Sequence, residues 1–380
     1  MTSLKSLPFI VLSLNCLLAN AETLRVGPQH VLKKPGEAAA IAKDGDTIEI
    51  EAGEYPGDST VWRANNLIIR GIGKIRAHMS AGPKLAQDKA IWVIKGDNTT
   101  VESIEFSGAK VEDRNGAGIR QEGAGLVVKN SYFHHNQNGI LSGANLQSDI
   151  LVEHSEFFAN GHGDGYSHNI YIGEVNSFTL RFSYSHGAYI GHQVKSRAKE
   201  NYILYNLLAD NADGQSSYLL DLPNGGLSLV IGNIFQQGYD TENSTFFSYG
   251  MEKELHSNSA LYVTSNTFVN KKDTGFFINA SRFHSAAIVA NNIFAGKGRL
   301  DMGAGTRFSA NISAKSFDFE ARGNNLFALP KDSPAIDAGK IPESPKNVKL
   351  VPEYQYQYPT GREKRLENGA LDIGAYEYTR

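Results

Sequence analysis

The sequence predicts an all-β chain wound as a parallel β-helix, a solenoid, with a short N-terminal capping helix and an irregular C-terminal cap. Three observations carry this prediction. Gly accounts for 38 of 380 residues, and β-branched and aromatic residues come in short runs bounded by Gly, Asn, Asp or Ser, which are strand and turn signals. An apolar pair followed by Asn or Ser and then an aromatic or Ile recurs as VVKNSYF, LVEHSEF, YILYNLL, VIGNIF, VTSNTF and VANNIF, and its members Asn206, Asn233, Asn266 and Asn292 lie 27, 33 and 26 residues apart. A second phrase runs in step with the first, as GIRQEG, GILSG, NIYIG, QVKS, LLDL, FFSYG and GFFIN.

The inward candidates of that second phrase are Ile119, Ile140, Ile170, Val194, Leu220, Phe247 and Phe277, at intervals of 21, 30, 24, 26, 27 and 30. A period in the twenties built from strands implies that each turn adds one strand to each of several parallel sheets. Neighbouring turns then stack about 4.8 Å apart. Asn at a fixed turn position can hydrogen-bond its equivalent on the next coil and the backbone. The Leu spacing of a leucine-rich repeat is missing, and no four-strand unit supports a propeller.

In chain order, residues 1–21 read as a signal peptide. Lys5 gives a basic start, Leu7 to Leu18 an apolar run, and Ala19-Asn20-Ala21 a small-residue cleavage site. Pro8, Ser13 and Asn15 interrupt the run, which is too short for a membrane span. The protein is therefore expected to be periplasmic or secreted. Residues 22–330 form the solenoid. Its first coil is covered by a short amphipathic helix from Pro35, a turn at Asp44-Gly45-Asp46 and a strand, which hides an edge that would otherwise pair with other chains. Residues 331–380, with SPAIDAGK at Ser333 and LDIGAYEY at Leu371, lack the repeat and form a C-terminal cap of the same domain, expected to fold over the far end.

Composition excludes several classes. Cys16, the single Cys, leaves with the signal, so the mature chain has no disulfide, thiolate metal site or Cys nucleophile. Its stability must come from the repeat and the core. Removal of Lys5 takes the formal charge from −3 to −4, and no basic block points to nucleic acid. No later run is long enough to cross a membrane. A monomer is expected.

Alternation along each strand then defines an outer face. With Ile170 and Ile172 inward, Asn169 and Tyr171 point out. With Val194 and Ser196 inward, Gln193, Lys195 and Arg197 point out. With Leu220 and Leu222 inward, Asp221 points out. The outward column reads Arg120, Leu141, Tyr171, Lys195, Asp221, Ser248, about 5 Å per rung. A slip of one residue would bury Lys195. The connection Phe157 to Asn169 brings His162, Asp164 and His168 beside this face, and His192 precedes the strand of Lys195. Loops beside a rigid sheet build groove walls, and a groove along a solenoid suits a polymer.

Cations, a phenol and imidazoles on one face suit an acidic polysaccharide. β-Elimination from a uronic acid needs a cation for the carboxylate, a base for C5–H and an acid for the leaving oxygen. The candidate catalytic residues are Lys195, Tyr171, His168, His192 and Arg197. The candidate substrate-binding residues are Arg120, Asn169, Asp221, Asn224, His162 and Asp164. No HExxH, GxSxG or Walker A motif is present.

SPAIDAGK and LDIGAYEY resemble the ends of secreted proteins of the right-handed parallel β-helix (pectate-lyase-like) superfamily. That fold hosts lyases, hydrolases, epimerases and adhesins. The phrase VKSRAKENYILYN resembles the Lys-Ser motif and following Asn-containing strand of the alginate lyase and chondroitinase B group. The resemblance implies that Lys195 is the base. The assisting Arg of the next coil is not matched, because LLDLPNGG with Asp221 stands there. A carboxylate beside Lys195 favours its ammonium form and opposes a base role, which leaves His168 or His192 as base, Tyr171 as acid and Lys195 on the substrate carboxylate. The group often uses Ca2+, although no calcium loop is visible. The expected activity is a polysaccharide lyase. The alternatives are a glycoside hydrolase using Asp164 and Asp221, a C5 epimerase and a non-catalytic carbohydrate-binding solenoid.

Overall fold

The computed structural model describes residues 21–378 apart from 211–213, 253–254, 284–286, 346–347 and 367. The signal-peptide assignment falls almost wholly on residues outside that range. The chain is a right-handed parallel β-helix with three faces. One face is a ten-stranded sheet running from Thr60–Trp62 to Arg299–Met302. The other two are joined in a 21-stranded sheet. One of them passes through Val175–Arg181 and Glu200–Leu204, the other through Tyr184–His186 and Leu207–Ala209.

The corner between those two faces explains the recurring Asn and Ser. A single residue turns the chain in the left-handed conformation, with φ of 52° at His154, 54° at Phe182 and 56° at Tyr205. Such a turn is unfavourable for non-Gly residues. The next residue offsets it by pointing inward as Ser155, Ser183 or Asn206. Backbone N–H groups donate up the ladder, from Ser155 to Ser183 Oγ (3.2 Å), Ser183 to Asn206 Oδ1 (3.0 Å) and Asn206 to Asn233 Oδ1 (2.9 Å). From Asn206 on, the amides also join directly, with Nδ2 to the next Oδ1 at 2.9 Å for Asn206–Asn233 and 3.0 Å for Asn233–Asn266. The side chains of Ser155, Ser183, Asn206, Asn233 and Asn266 each also donate to a backbone carbonyl, so these buried corner groups are satisfied.

Between the faces, aromatic rings stack with the coil spacing. Phe106, Phe133 and Phe157 have successive centroids 4.9 Å apart and planes within 13°. The expected helix spans Pro35–Ile41, with Pro35 in the first turn and Ala38 buried against the first coil.

Two expectations are corrected here. Phe247 pairs with Ile278, not Phe277, because Phe277 sits opposite Phe246 and both fill the corner core. The C-terminal segment does not simply close the far end. Its hairpin, Tyr354–Gln357 with Gly361–Lys364, runs back along one flank. Leu350 packs with Phe182, Tyr205, Ile231 and Tyr262, while Tyr356 and Tyr376 pack with Tyr184, Leu207 and Ile234. Thr360 O lies 2.8 Å from His154 Nδ1. No helix among the described residues is long and apolar enough to cross a membrane.

Candidate active site

The ten-stranded sheet fixes the candidate residues. Strands Asn138–Ser142, Ile170–Ile172, Val194–Ser196, Leu220–Leu222 and Thr245–Tyr249 are consecutive rungs, with Leu141 opposite Tyr171, Tyr171 opposite Lys195, Lys195 opposite Asp221 and Asp221 opposite Ser248. The flanking Ile, Val and Leu face the core and are fully buried. The polar column is therefore held on the outer face by the hydrophobic register.

Lys195 Nζ lies 3.1 Å from Asp221 Oδ2 and 3.6 Å from Glu252 Oε1. Arg197 is the hub of the second half of the site. Its Nη1 and Nη2 reach Glu252 at 2.6 and 2.9 Å. Its Nη1 also donates to Asn224 Oδ1 at 2.6 Å, and its Nε donates to the Tyr171 hydroxyl oxygen at 3.1 Å. The guanidinium holds Glu252 below the usual carboxylate range, and Glu252 in turn holds the proton more firmly on Arg197. Burial raises Asp221, while Lys195 and a hydrogen bond from Ser248 oppose that shift.

His168 and His192 are buried and stacked, with centroids 4.5 Å apart and planes 16° from parallel. The His192 backbone N–H donates to His168 Nδ1 at 3.0 Å, and the Tyr218 N–H donates to His192 Nδ1 at 3.3 Å. Both Nδ1 atoms are thus acceptors, which places the hydrogen of each neutral ring on Nε2. His192 Nε2 faces Asp221 Oδ2 at 3.6 Å. Burial, with Lys195 and Arg197 adding to it, lowers His168 to about 3. Burial, with His168 and Lys195 adding to it, lowers His192 well below its ordinary value. The close coil approach that makes this stack possible needs Gly191, where a Cβ would lie 1.9 Å from the Ser167 carbonyl oxygen.

The structure brings Tyr171, Lys195, Arg197, Asp221, Asn224, His168 and His192 together. It does not place the remaining candidates with them. Asn169 does not point outward. It is fully buried in a second corner ladder, with Asn160 Nδ2 donating to Asn169 Oδ1 (2.9 Å) and Asn169 Nδ2 donating to Gln193 Oε1 (2.6 Å). Gln193 is inward for the same reason, since both precede their strands and strand alternation has not yet begun. Asp164 Oδ1 accepts from Tyr166 N at 3.0 Å, and the His162 N–H donates to Ser167 Oγ at 2.7 Å, so these residues shape their own loop. Arg120 lies on the column beyond Leu141, with its buried Nε unpartnered among the described residues. Glu252, 55 residues beyond Arg197, is the site residue that sequence reasoning missed.

Ca2+ does not fit this face. It takes six to eight oxygen ligands. Here both carboxylates already face cations, Asp221 toward Lys195 and Glu252 toward Arg197, so a dication would sit against two positive side chains. A concavity lined by Leu85, Asp88, Lys110, Val111, Glu112 and Asp113 lies elsewhere on the molecule. It gathers no comparable set of cations and proton donors.

No family model matches the chain, and no curated protein matches it. Among solved structures the chain is similar to pectate lyase Pel9A, with a TM-score of 0.59 at 13% identity over 94% of this chain and 96% of that one. It is similar to an alginate lyase from Paenibacillus sp. str. FPU-7, with a TM-score of 0.47 at 14% identity over 77% of this chain and 99% of that one. A third structure, the PL6 family alginate lyase AlyGC, gives a TM-score of 0.40 at 12% identity over 82% of this chain and 57% of that one. All three neighbours are polysaccharide lyases by name. The first similarity establishes the right-handed parallel β-helix for this chain.

Proposed function

We propose that the protein is a periplasmic or secreted lyase that cleaves a uronic-acid-containing polysaccharide by β-elimination on the face carrying Lys195. One observation carries this reading: Lys195 and Arg197 converge on a single carboxylate, that of Glu252. A uronate has the same charge and two-oxygen shape. Glu252 is exposed and follows the strand two rungs beyond that of Lys195, so it can yield its place to a substrate.

With Glu252 displaced, the Arg197 fork binds the uronate carboxylate and draws charge from it, which acidifies C5–H. Lys195 is the base. It acts in its neutral amine form, and Asp221, 3.1 Å from its Nζ, holds it in place on the outer face. The amine removes the C5 proton. The C5–H electron pair becomes the C4=C5 double bond, the C4–O bond breaks, and the departing oxygen takes the hydroxyl proton of Tyr171. Arg197 Nε already donates to that hydroxyl oxygen and stabilises the phenolate left behind. His168 and His192 are positioning groups rather than bases, because their Nδ1 lone pairs are engaged and His192 turns Nε2–H toward Asp221.

The test is to incubate the mature protein with alginate, pectate, glucuronan and glycosaminoglycans. A lyase produces unsaturated ends that absorb in the near ultraviolet, and Lys195→Ala should remove that signal. Reducing ends without the absorbance, altered residue composition without shortening, or binding without turnover would replace this reading with a hydrolase, an epimerase or an adhesin respectively.

A further inference from the structure

Away from the Lys195 face, on the face that carries Tyr132–His134, three consecutive coils gather His78, Glu105 and His134, with His78 opposite Glu105 and His134 two residues further along the third strand. Their ligand-type atoms all lie within 4.8 Å of one another. His134 Nε2 is 3.0 Å and His78 Nε2 is 3.8 Å from Glu105 Oε1. For comparison, ligand atoms around a tetrahedral ion with bonds near 2.0–2.1 Å are about 3.3 Å apart. The observed spacings bracket that value, so the set closes around an ion with small side-chain shifts.

The outer contacts point the same way. His78 Nδ1 lies 2.7 Å from Glu54 Oε2, so Nδ1–H donates to that carboxylate and the lone pair of the neutral ring is on Nε2, where it accepts from Ser107 Oγ at 2.7 Å, a hydrogen bond that an ion at the cluster would displace. Metal-ligating imidazoles commonly carry such a carboxylate on their other nitrogen. His134 Nδ1 meets His135 Nδ1 at 2.8 Å, so one of the two nitrogens must carry the hydrogen. If His134 donates, its Nε2 lone pair faces the Glu105 oxygen, an arrangement that needs a positive centre between them.

We propose that His78, Glu105 and His134 form a binding site for a borderline divalent transition metal such as Zn2+, which staples three coils near the N-terminal end of the solenoid. Two imidazoles and one carboxylate match zinc-, cobalt- and nickel-type donor sets, whereas the all-oxygen preference of Ca2+ disfavours it. The site is independent of the lyase reading, since it uses none of the same residues. Its competitor is a metal-free ladder in which the Ser107 hydroxyl donates to His78 Nε2 and His134 Nε2–H donates to Glu105.

The experiment uses the full chain without an affinity tag, stripped with a chelator and titrated with Zn2+ by calorimetry and with Co2+ by visible absorption. The expected result is one equivalent bound, imidazole-ligated Co2+ bands, a rise in melting temperature with Zn2+, and no competition from Ca2+. His78→Gln and His134→Ala should each weaken Zn2+ binding at least tenfold and abolish the thermal shift. Absence of heat and bands in the unmodified protein overturns the site, and that readout stands even where a variant fails to fold. Binding left unchanged by both substitutions in folded variants overturns it equally.

Discussion

Arg197 grips Glu252 with both terminal nitrogens, at 2.6 and 2.9 Å, across coils that the chain separates by 55 residues. Glu252 thus occupies the position proposed for a substrate carboxylate and competes with it. Glu252→Gln should lower KM for the acidic polymer about tenfold, a 1.4 kcal/mol effect, with kcat little changed. Initial rates over a substrate series check this. A raised KM would show that Glu252 helps to bind the polymer instead. Fold stability should change little, because pairs at such an exposed carboxylate contribute little.

Lys195→Ala and Tyr171→Phe should each reduce turnover by about 10²–10⁴-fold, with unchanged circular dichroism. Lys195→Arg should not restore activity, because a guanidinium does not give up its proton at working pH. The rate of appearance of the unsaturated product is the measurement.

Acid should destabilise the fold through His168. Its imidazole remains neutral down to about pH 3 when folded, whereas the ordinary value of 6.5 applies when unfolded. Between those limits the unfolded chain binds a proton that the native state refuses, so stability is complete above about pH 6.5 and declines as pH falls. The decline approaches ~1.4 kcal/mol per pH unit. His192, lowered in the same direction, adds to it, while Lys195, Arg197 and Asp221 are the charged groups facing the pair. His168→Asn keeps an acceptor for the His192 N–H and should flatten the denaturant midpoint against pH between 6.5 and 4. An equally steep profile would remove this explanation.

Asn233→Ala should cost about 3 kcal/mol, because it removes the partner of the Asn206 N–H, of one Asn206 amide hydrogen and of the Ile203 carbonyl in the interior, leaving the Asn206 amide only its bond to the Leu180 carbonyl. Asn233→Ser should be milder, since Ser155 and Ser183 fill the same ladder on earlier coils. Chemical denaturation of both variants measures the difference.

The parts of the site legible in the sequence are those set by strand alternation. Tyr171, Lys195 and Asp221 stack as neighbours because Ile170, Val194 and Leu220 must go inside. Asn169 and Gln193 were misread because they lie just before their strands, where the corner ladder decides their direction. Glu252 lies beyond the end of strand Thr245–Tyr249, where register no longer predicts direction, and its partner Arg197 is remote in sequence. The roles of the two buried imidazoles depend on backbone donors from the following coils, which no residue pattern encodes.

A stack of coils joined only to its neighbours can unspool from either end, one turn at a time. The C-terminal strap changes that. By packing Leu350 with residues from Phe182 to Ile288, and Tyr356 with Tyr184, Leu207 and Ile234, it makes the loss of any turn between them a loss shared by several. The turns from Phe182 to Ile288 should therefore melt together, and cutting away the strap should let the later turns fray while the Lys195 face is still intact.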